Sequence, residues 1–444
     1  MNRCSLLAGF ALIACGAAVI PVATADTRGG PAWWPQWRGP SGQGVSDDTR
    51  VPLQWSETEN IAWKTQLPGT GNSTPIVWGE RIFLTASSAD GMERLVLCIR
   101  ATDGKILWKQ TASTGVPPGK THAWNGYASA SCTTDGRYVY AFFGTAGLFC
   151  YDVDGHQVWK HSFGVFADAP GWGSAASPFL YDDLVIQNCD NDGPDARAKG
   201  TPAAKVAPMA LVALDKYTGA VRWSTPRNQG RGFSTPRLLS VGGGRNDLLL
   251  NGPLGLWGYD PATGQERWRC LRSDPDELQR FGEPIPVAEG DLLFVSSGRS
   301  GPCQAVRLPC DGDVTKTRVQ WEAIRKGHRD VASAIVHNGL LYAADNKGML
   351  TCLDLKTGKE HYNERIGNGK NKAIASPVLV RNRLLFLLDD GTTVVIEPGP
   401  TLRVAARNRI GSGELLDFGA SPAIADGKLF LRSQSHLYCV AAKQ

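Results

Sequence analysis

Residues 211–223 read LVALDKYTGAVRW: four apolar residues, an Asp, a two-residue spacer, Thr-Gly, and a second run that ends in Trp223. Two short apolar runs joined by a tight turn with Gly describe a β-hairpin. The same pattern returns along the chain. RLVLCIRATDGKILWKQ carries Trp108, LFCYDVDGHQVWKH carries Trp159, LWGYDPATGQERWRC carries Trp268 and LTCLDLKTGKEHYNERIG repeats the turn with Tyr362 in place of the Trp. Upstream of each hairpin lies a second one. It opens on a small polar residue and Pro and turns through Gly, Asp or Asn, as in STPIVWGERIFLTAS at residues 73–87.

Counted in this way the chain holds eight copies, starting near residues 71, 127, 173, 232, 282, 331, 375 and 419. The fifth is degenerate, the seventh has lost its Trp, and the eighth stops after three strands. Its fourth strand is found at the other end of the chain, where Asn60-Ile61-Ala62-Trp63-Lys64-Thr65 matches the Trp strand ILWKQT of the first copy. Four-stranded repeats of this length are the mark of a β-propeller, and a strand borrowed from the N-terminus closes the ring and removes its exposed edges. The expected fold is therefore all-β: an eight-bladed propeller of four-stranded antiparallel blades over residues 60–444, with seven blades as the fallback count. Trp63, Trp108, Trp159, Trp223, Trp268 and Trp321 fall at one structural position and are expected to dock blade on blade.

Composition agrees. The chain has 444 residues, 42% hydrophobic and 20% charged, which excludes a mainly disordered chain. Its 51 Gly and 27 Pro call for many turns. The formal net charge of +5 comes from interspersed residues, so no nucleic-acid footprint is expected. Arg3, the apolar run Leu6–Ile20 and Ala23-Thr24-Ala25 form an export leader over residues 1–25, with an extended segment at 26–59 before the propeller. Leu12-Ile13-Ala14-Cys15 offers a rival, lipoprotein cut at Cys15, which is the single route to a membrane expected here. The expectation is an exported, periplasmic monomer.

Of 11 Cys, 9 remain beyond the leader. Cys98, Cys150, Cys352 and Cys439 occupy the slot that Ala213 and Gly258 fill in other copies, so they read as small packing residues. Cys303 and Cys310 are the pair expected to form a disulfide if any does.

These copies resemble the pyrrolo-quinoline quinone (PQQ) repeat, A-L-D-x-x-T-G-x-x-x-W, over essentially the whole chain past the leader. WPQWRGPSGQGVS at 34–46, WSETENIAWKTQLPG at 55–69 and SPAIADGKLFLRSQSHLYCV at 421–440 are similar to exported PQQ-like propellers of planctomycete-type bacteria. The outer-membrane assembly propeller of Gram-negative bacteria and the PQQ dehydrogenases share the repeat. The resemblance thus implies either a scaffold or a quinoprotein. The large PQQ dehydrogenases hold the quinone between a Trp and a disulfide of adjacent Cys, with Ca²⁺ on Glu, Asn and Asp. This sequence has no adjacent Cys pair and no C-x-x-C-H haem motif.

Ligand residues are sought in the longest irregular stretches, Thr111–Tyr127 and Cys189–Pro208, which the strand order places on one face. His122, Trp124, Asn125, Trp172 and Arg227 are the candidate ligand-binding residues, and Asp190, Asp192 and Asp195 the candidate Ca²⁺ ligands. No catalytic residue is assigned. The leading expectation is a non-catalytic binding or scaffold propeller for a protein or cell-envelope polymer, without a cofactor. The alternatives are a PQQ- and Ca²⁺-dependent alcohol or sugar dehydrogenase, and a carbohydrate-binding or carbohydrate-processing protein.

Overall fold

The computed structural model describes residues 33–442 apart from 116–120, 123, 168–170, 194–204, 231, 274–280, 299–300 and 326–329, so the leader and Cys15 lie outside the described residues. Eight antiparallel blades form the ring, over residues 76–114, 133–161, 179–226, 237–271, 287–324, 335–365, 378–409 and 423–440. The eighth is completed by Ile61–Gln66, which pairs with His436–Val440 in a register that sets Trp63 opposite Cys439. Blade 3 shows the plan: Phe179–Tyr181, Leu184–Asn188, Ala210–Asp215 and Val221–Pro226, from the axis outward. The middle strands are sandwiched between neighbouring blades and are buried almost throughout, whereas the outer strand alternates between packed and solvated residues.

The turn chemistry explains the repeat. Asp215 Oδ1 accepts the N–H groups of Tyr217 and Thr218 and the Thr218 hydroxyl, at 3.0, 2.9 and 3.0 Å. Asp354 does the same for Thr357, whose hydroxyl, first among its partners, holds the carboxyl below its ordinary value. The turn leaves a bulge between the third and outer strands of each blade, at the slot residue in blades 1–7 and between Ile61 and Trp63 in blade 8. The slot residue sits opposite the Trp, as Cys98 does Trp108, Cys150 does Trp159 and Ala213 does Trp223. A small side chain is needed there because the indole lies over it.

Each indole then docks on the turn of the following blade. Nε1 of Trp63, Trp108, Trp159 and Trp321 donates to the carbonyls of Ala101, Val153, Lys216 and Leu355 at 2.8–3.2 Å. The turn glycine lies beneath the ring: a Cβ at Gly219 would stand 2.7 Å from Trp159, and Gly219 has φ +73°, a conformation that favours glycine. Trp223 covers Gly264 in the same way, without a partner for its Nε1. Trp268 departs from the expectation. Blade 5 has Leu308-Pro309-Cys310 where blades 3, 4 and 6 have Thr-Gly and blades 1 and 2 have Asp-Gly, so no turn carbonyl meets the indole. It packs against Leu293 and Val306 but donates to Asp247 of its own blade at 2.8 Å. Trp159→Ala is expected to destabilise the protein by about 3–5 kcal/mol, measured by denaturant unfolding. A change below about 1 kcal/mol would remove the docking role.

Around the axis the small polar residues form a hydrogen-bonded hoop. The N–H of Thr74 donates to Ser131 Oγ, Ser131 to Ser177, Ser177 to Thr235, Ile285 to Ser333, Ser333 to Ser376, Ser376 to Ser421, and Ser421 back to Thr74, at 2.9–3.2 Å. The hoop is interrupted between blades 4 and 5, where Ile285 offers no hydroxyl.

One end of the axial channel is crossed by residues 33–46, here called the strap. Trp33–Trp34 adds to the inner strand of blade 1, and Val45–Ser46 lies parallel to that of blade 7. Between them Pro35 O accepts from Thr134 N, Arg38 donates to Ala334 O at 2.9 Å, and Gln43 Oε1 accepts from Ala288 N at 3.0 Å. Gly44, at φ +76°, passes so close to Pro377 O that a Cβ would stand 2.8 Å away.

The nine described cysteines are free and buried. The expected Cys303–Cys310 disulfide is absent for a geometric reason: Cys303 packs between blades 5 and 6 and Cys310 between blades 4 and 5, on opposite faces of one sheet. Burial pushes the thiols of Cys98, Cys132, Cys303 and Cys439 up to about 12, so they stay protonated at neutral pH. Among the described residues no helix is long and apolar enough to cross a membrane.

Candidate functional site: an axial cup on the long-loop face

With the strap across one end, the channel becomes a cup of about 180 Å³ open toward the long loops. Its floor is Trp37, whose Nε1 donates to the hoop hydroxyl of Ser421 at 3.3 Å. Its wall carries the hoop residues Thr74, Ser131, Ser177, Thr235 and Ser376, and its rim His122, Trp124, Asn125, Trp172, Phe233 and Glu283.

Short hydrogen bonds shape the rim. Asn125 N and Gly126 N both donate to His122 O, at 2.8 and 3.2 Å, turning the chain back on itself. Trp124 N donates to His122 Nδ1 at 3.2 Å, which places the neutral imidazole's proton on Nε2. The two rings meet edge to face at 5.0 Å. Asn72 reaches up from blade 1 and donates to the carbonyls of Trp124 and Asn125, both at 3.0 Å, while its Oδ1 accepts from Gln434 at 2.7 Å. Asn125 Nδ2 donates to Trp172 O at 2.5 Å, tying the first loop to the second. Its Oδ1 is buried and accepts no hydrogen bond from the protein.

Four of the five candidate ligand residues thus meet in one place. Arg227 does not line the cup. Its side chain is buried and forks onto Asp190, Nε to Oδ1 at 2.9 Å and Nη2 to Oδ2 at 3.1 Å, with Tyr259 on its third nitrogen. Asp190 is therefore engaged by a cation and not presented as a hard ligand. Asp192 is half-buried nearby, with its N–H on Ala167 O at 2.9 Å, and Asp195 lies outside the described residues. The blade 1 outer strand runs on to Thr114, so the first loop is shorter than Thr111–Tyr127. Trp37, Asn72, Phe233 and Glu283 escaped the sequence reading. The signal for Asn72 was its place just before Ser73-Thr74-Pro75; Trp37 belongs to no repeat.

The donor set bears on the cofactor that the repeat implies. PQQ carries three carboxylates, yet no Lys or Arg lines the cup among the described residues. Ca²⁺ in this role needs several hard oxygens, and Glu283 is the one carboxylate among the described lining residues. No cluster of three or more His, Cys, Asp or Glu suited to a metal occurs among the described residues. The described lining residues do not fit PQQ with Ca²⁺.

A family model described as outer membrane protein assembly factor BamB matches residues 91–361 and 279–444. No curated protein matches the chain significantly. Among solved structures, BamB from Moraxella catarrhalis is similar at 14% identity and a TM-score of 0.59, over 85% of this chain and 97% of that one. Quinohemoprotein alcohol dehydrogenase ADHIIG from Pseudomonas putida HK5 is similar at 12% identity and a TM-score of 0.63, over 93% and 81%. The quinohemoprotein alcohol dehydrogenase from Comamonas testosteroni is similar at 13% and 0.63, again over 93% and 81%. At these identities the likeness is one of fold.

Proposed function

The chain belongs to the family described as outer membrane protein assembly factor BamB, and from that premise we propose that it is an exported, non-catalytic binding propeller of the cell envelope. Its ligand enters the axial cup on the long-loop face. The observation that carries this reading is the cup itself: a recess closed below by the strap, with aromatic rings on floor and rim and hydroxyls and amides between them. Concave sites of that mixed character bind small groups by apolar contact and a few fixed polar bonds.

The lining also selects a ligand chemistry. Its described lining carries no Lys or Arg to neutralise an anion, and its rings suit a face of C–H groups. A neutral sugar unit of an envelope polymer has such faces and hydroxyls for His122, Asn125 and the hoop. The protein-partner reading rests on the family description; the sugar reading rests on the cup.

The test is binding of purified chain to a panel of neutral oligosaccharides and envelope-polymer fragments, by calorimetry. Trp124→Ala is expected to weaken the best ligand about fivefold, since loss of one aromatic stacking partner costs about 1 kcal/mol. Trp124 is part-exposed on a loop, so the melting temperature should hold. Turnover of an alcohol or sugar, or PQQ kept through desalting, would overturn the proposal.

A further inference from the structure

Arg38 on the strap and Arg237 on the inner strand of blade 4 are buried guanidiniums, 1% and 4% exposed. Arg38 gives its N–H groups to the carbonyls of Gly42, Gln43, Ser333 and Ala334. Arg237 has a single bond, to Pro286 O at 2.6 Å, and its Nε is buried with no acceptor. No carboxylate pairs with either among the described residues. Burial, and then the repulsion of Arg237, pulls Arg38 down to about 9, and burial pulls Arg237 down to about 10. A buried charge without a counter-charge is costly, and proteins seldom leave one.

Beside Arg237, on the strap side of the hoop, lies a cavity of about 260 Å³. Gln36, Ser41, Thr235 and Arg237 give it polar groups, and it has no Asp or Glu among its described lining residues. Apolar walls from Phe179, Leu238 and Ile285 keep its dielectric low, which strengthens any charge contact made there. It reaches the surface at Pro40 and Ser41, which are exposed. The strap passes over the Arg237 side chain at Gly42, where a Cβ would stand 3.4 Å from Cγ and 3.8 Å from Nε.

We propose that this cavity is a binding site for a small tetrahedral oxyanion of the phosphate or sulfate class, held by Arg237 and the strap turn at Ser41. A guanidinium with N–H groups left over from its one bond to Pro286 O is suited to holding such an anion. Because one wall is the strap and another is blade 4, the bound anion fastens the strap across the channel. This site shares Trp37 and Thr235 with the lining of the cup but does not rest on the ligand proposed there.

Inorganic phosphate titrated into the full chain, with ionic strength held by chloride, tests it. One equivalent per chain is expected to bind, and the melting temperature to rise by roughly 2 °C at tenfold excess over Kd. Arg237→Gln is expected to abolish both effects. Ser41→Glu, which sets a carboxylate at an exposed lip and spares the fold, is expected to abolish them too, and it decides alone if Arg237→Gln does not fold. Heats equal to those of matched chloride, or binding that survives in Ser41→Glu, would overturn the proposal.

Discussion

A chain lacking residues 33–68 is expected to emerge from purification as soluble aggregate, without a monomer peak. The outer strand of blade 8 is Ile61–Gln66, and without it the strand His436–Val440 presents an open edge beside a buried row that includes Leu437, Cys439 and Val440. An unpaired apolar edge pairs with whatever chain it meets. Trp63 is lost as well, with its bond to Ala101 O and its cover over Gly104. Removal of one such aromatic costs about 3–5 kcal/mol, and a domain has about 5–15 kcal/mol to lose. The strap's bonds to blades 2, 5 and 6 go with it. A second deletion separates the parts. Removing 33–46 alone leaves Ile61–Gln66 in place, so a closed monomer with a lowered melting temperature is expected. Light scattering coupled to size exclusion, with thermal unfolding, reads both. A monomeric 33–68 deletion that melts like the intact chain would show that the ring does not close through this strand.

Much of this was legible because the propeller writes the same sentence eight times. A slot, an Asp, a Thr-Gly turn and a Trp recur at fixed spacing, and each is needed by the next blade's geometry: Gly219 must be bare because Trp159 lies on it. The closing strand was legible for the same reason, since Trp63 stands to Cys439 as Trp108 does to Cys98. The hoop was half legible. Ser-Pro and Thr-Pro were visible as a repeat, but their hydroxyls bond to the neighbouring blade, tens of residues away. The strap was not legible, because it occurs once and its path depends on glycines at positive φ rather than on apolar period. Cys303 and Cys310 misled because nearness in sequence says nothing about which face of a sheet a side chain takes. The cup was found through loop length, which located His122, Trp124, Asn125 and Trp172 but not the floor at Trp37.

Arg227 and Asp190 looked like ligand residues, being charged and on the right loops; the structure makes them a buried pair, and that changes what their mutation should do. Both side chains are almost wholly buried, and the guanidinium also lies near the rings of Trp257 and Tyr259. Arg227→Met keeps the volume and strands a carboxylate in a dry site, which costs about 3–5 kcal/mol at neutral pH. Burial already raises the Asp190 carboxyl above its ordinary value, against the pull of Arg227. With Arg227 gone that opposition ends and the folded-state value rises further. A group raised on folding contributes stability below its unfolded value, near 4 for Asp, and loses it as the pH climbs through the folded value. The Arg227→Met chain is therefore expected to regain stability as the pH falls from 7 toward 5, relative to the intact protein at each pH. Asp190→Asn combined with Arg227→Met removes the stranded charge, so the double variant should be more stable at pH 7 than Arg227→Met alone and lose the relative gain at low pH. Denaturant unfolding of the three chains at pH 5, 6 and 7 is the measurement. A single variant whose deficit is independent of pH would mean that Asp190 finds another cation or reaches water. The pair would then hold its loops by packing rather than by charge.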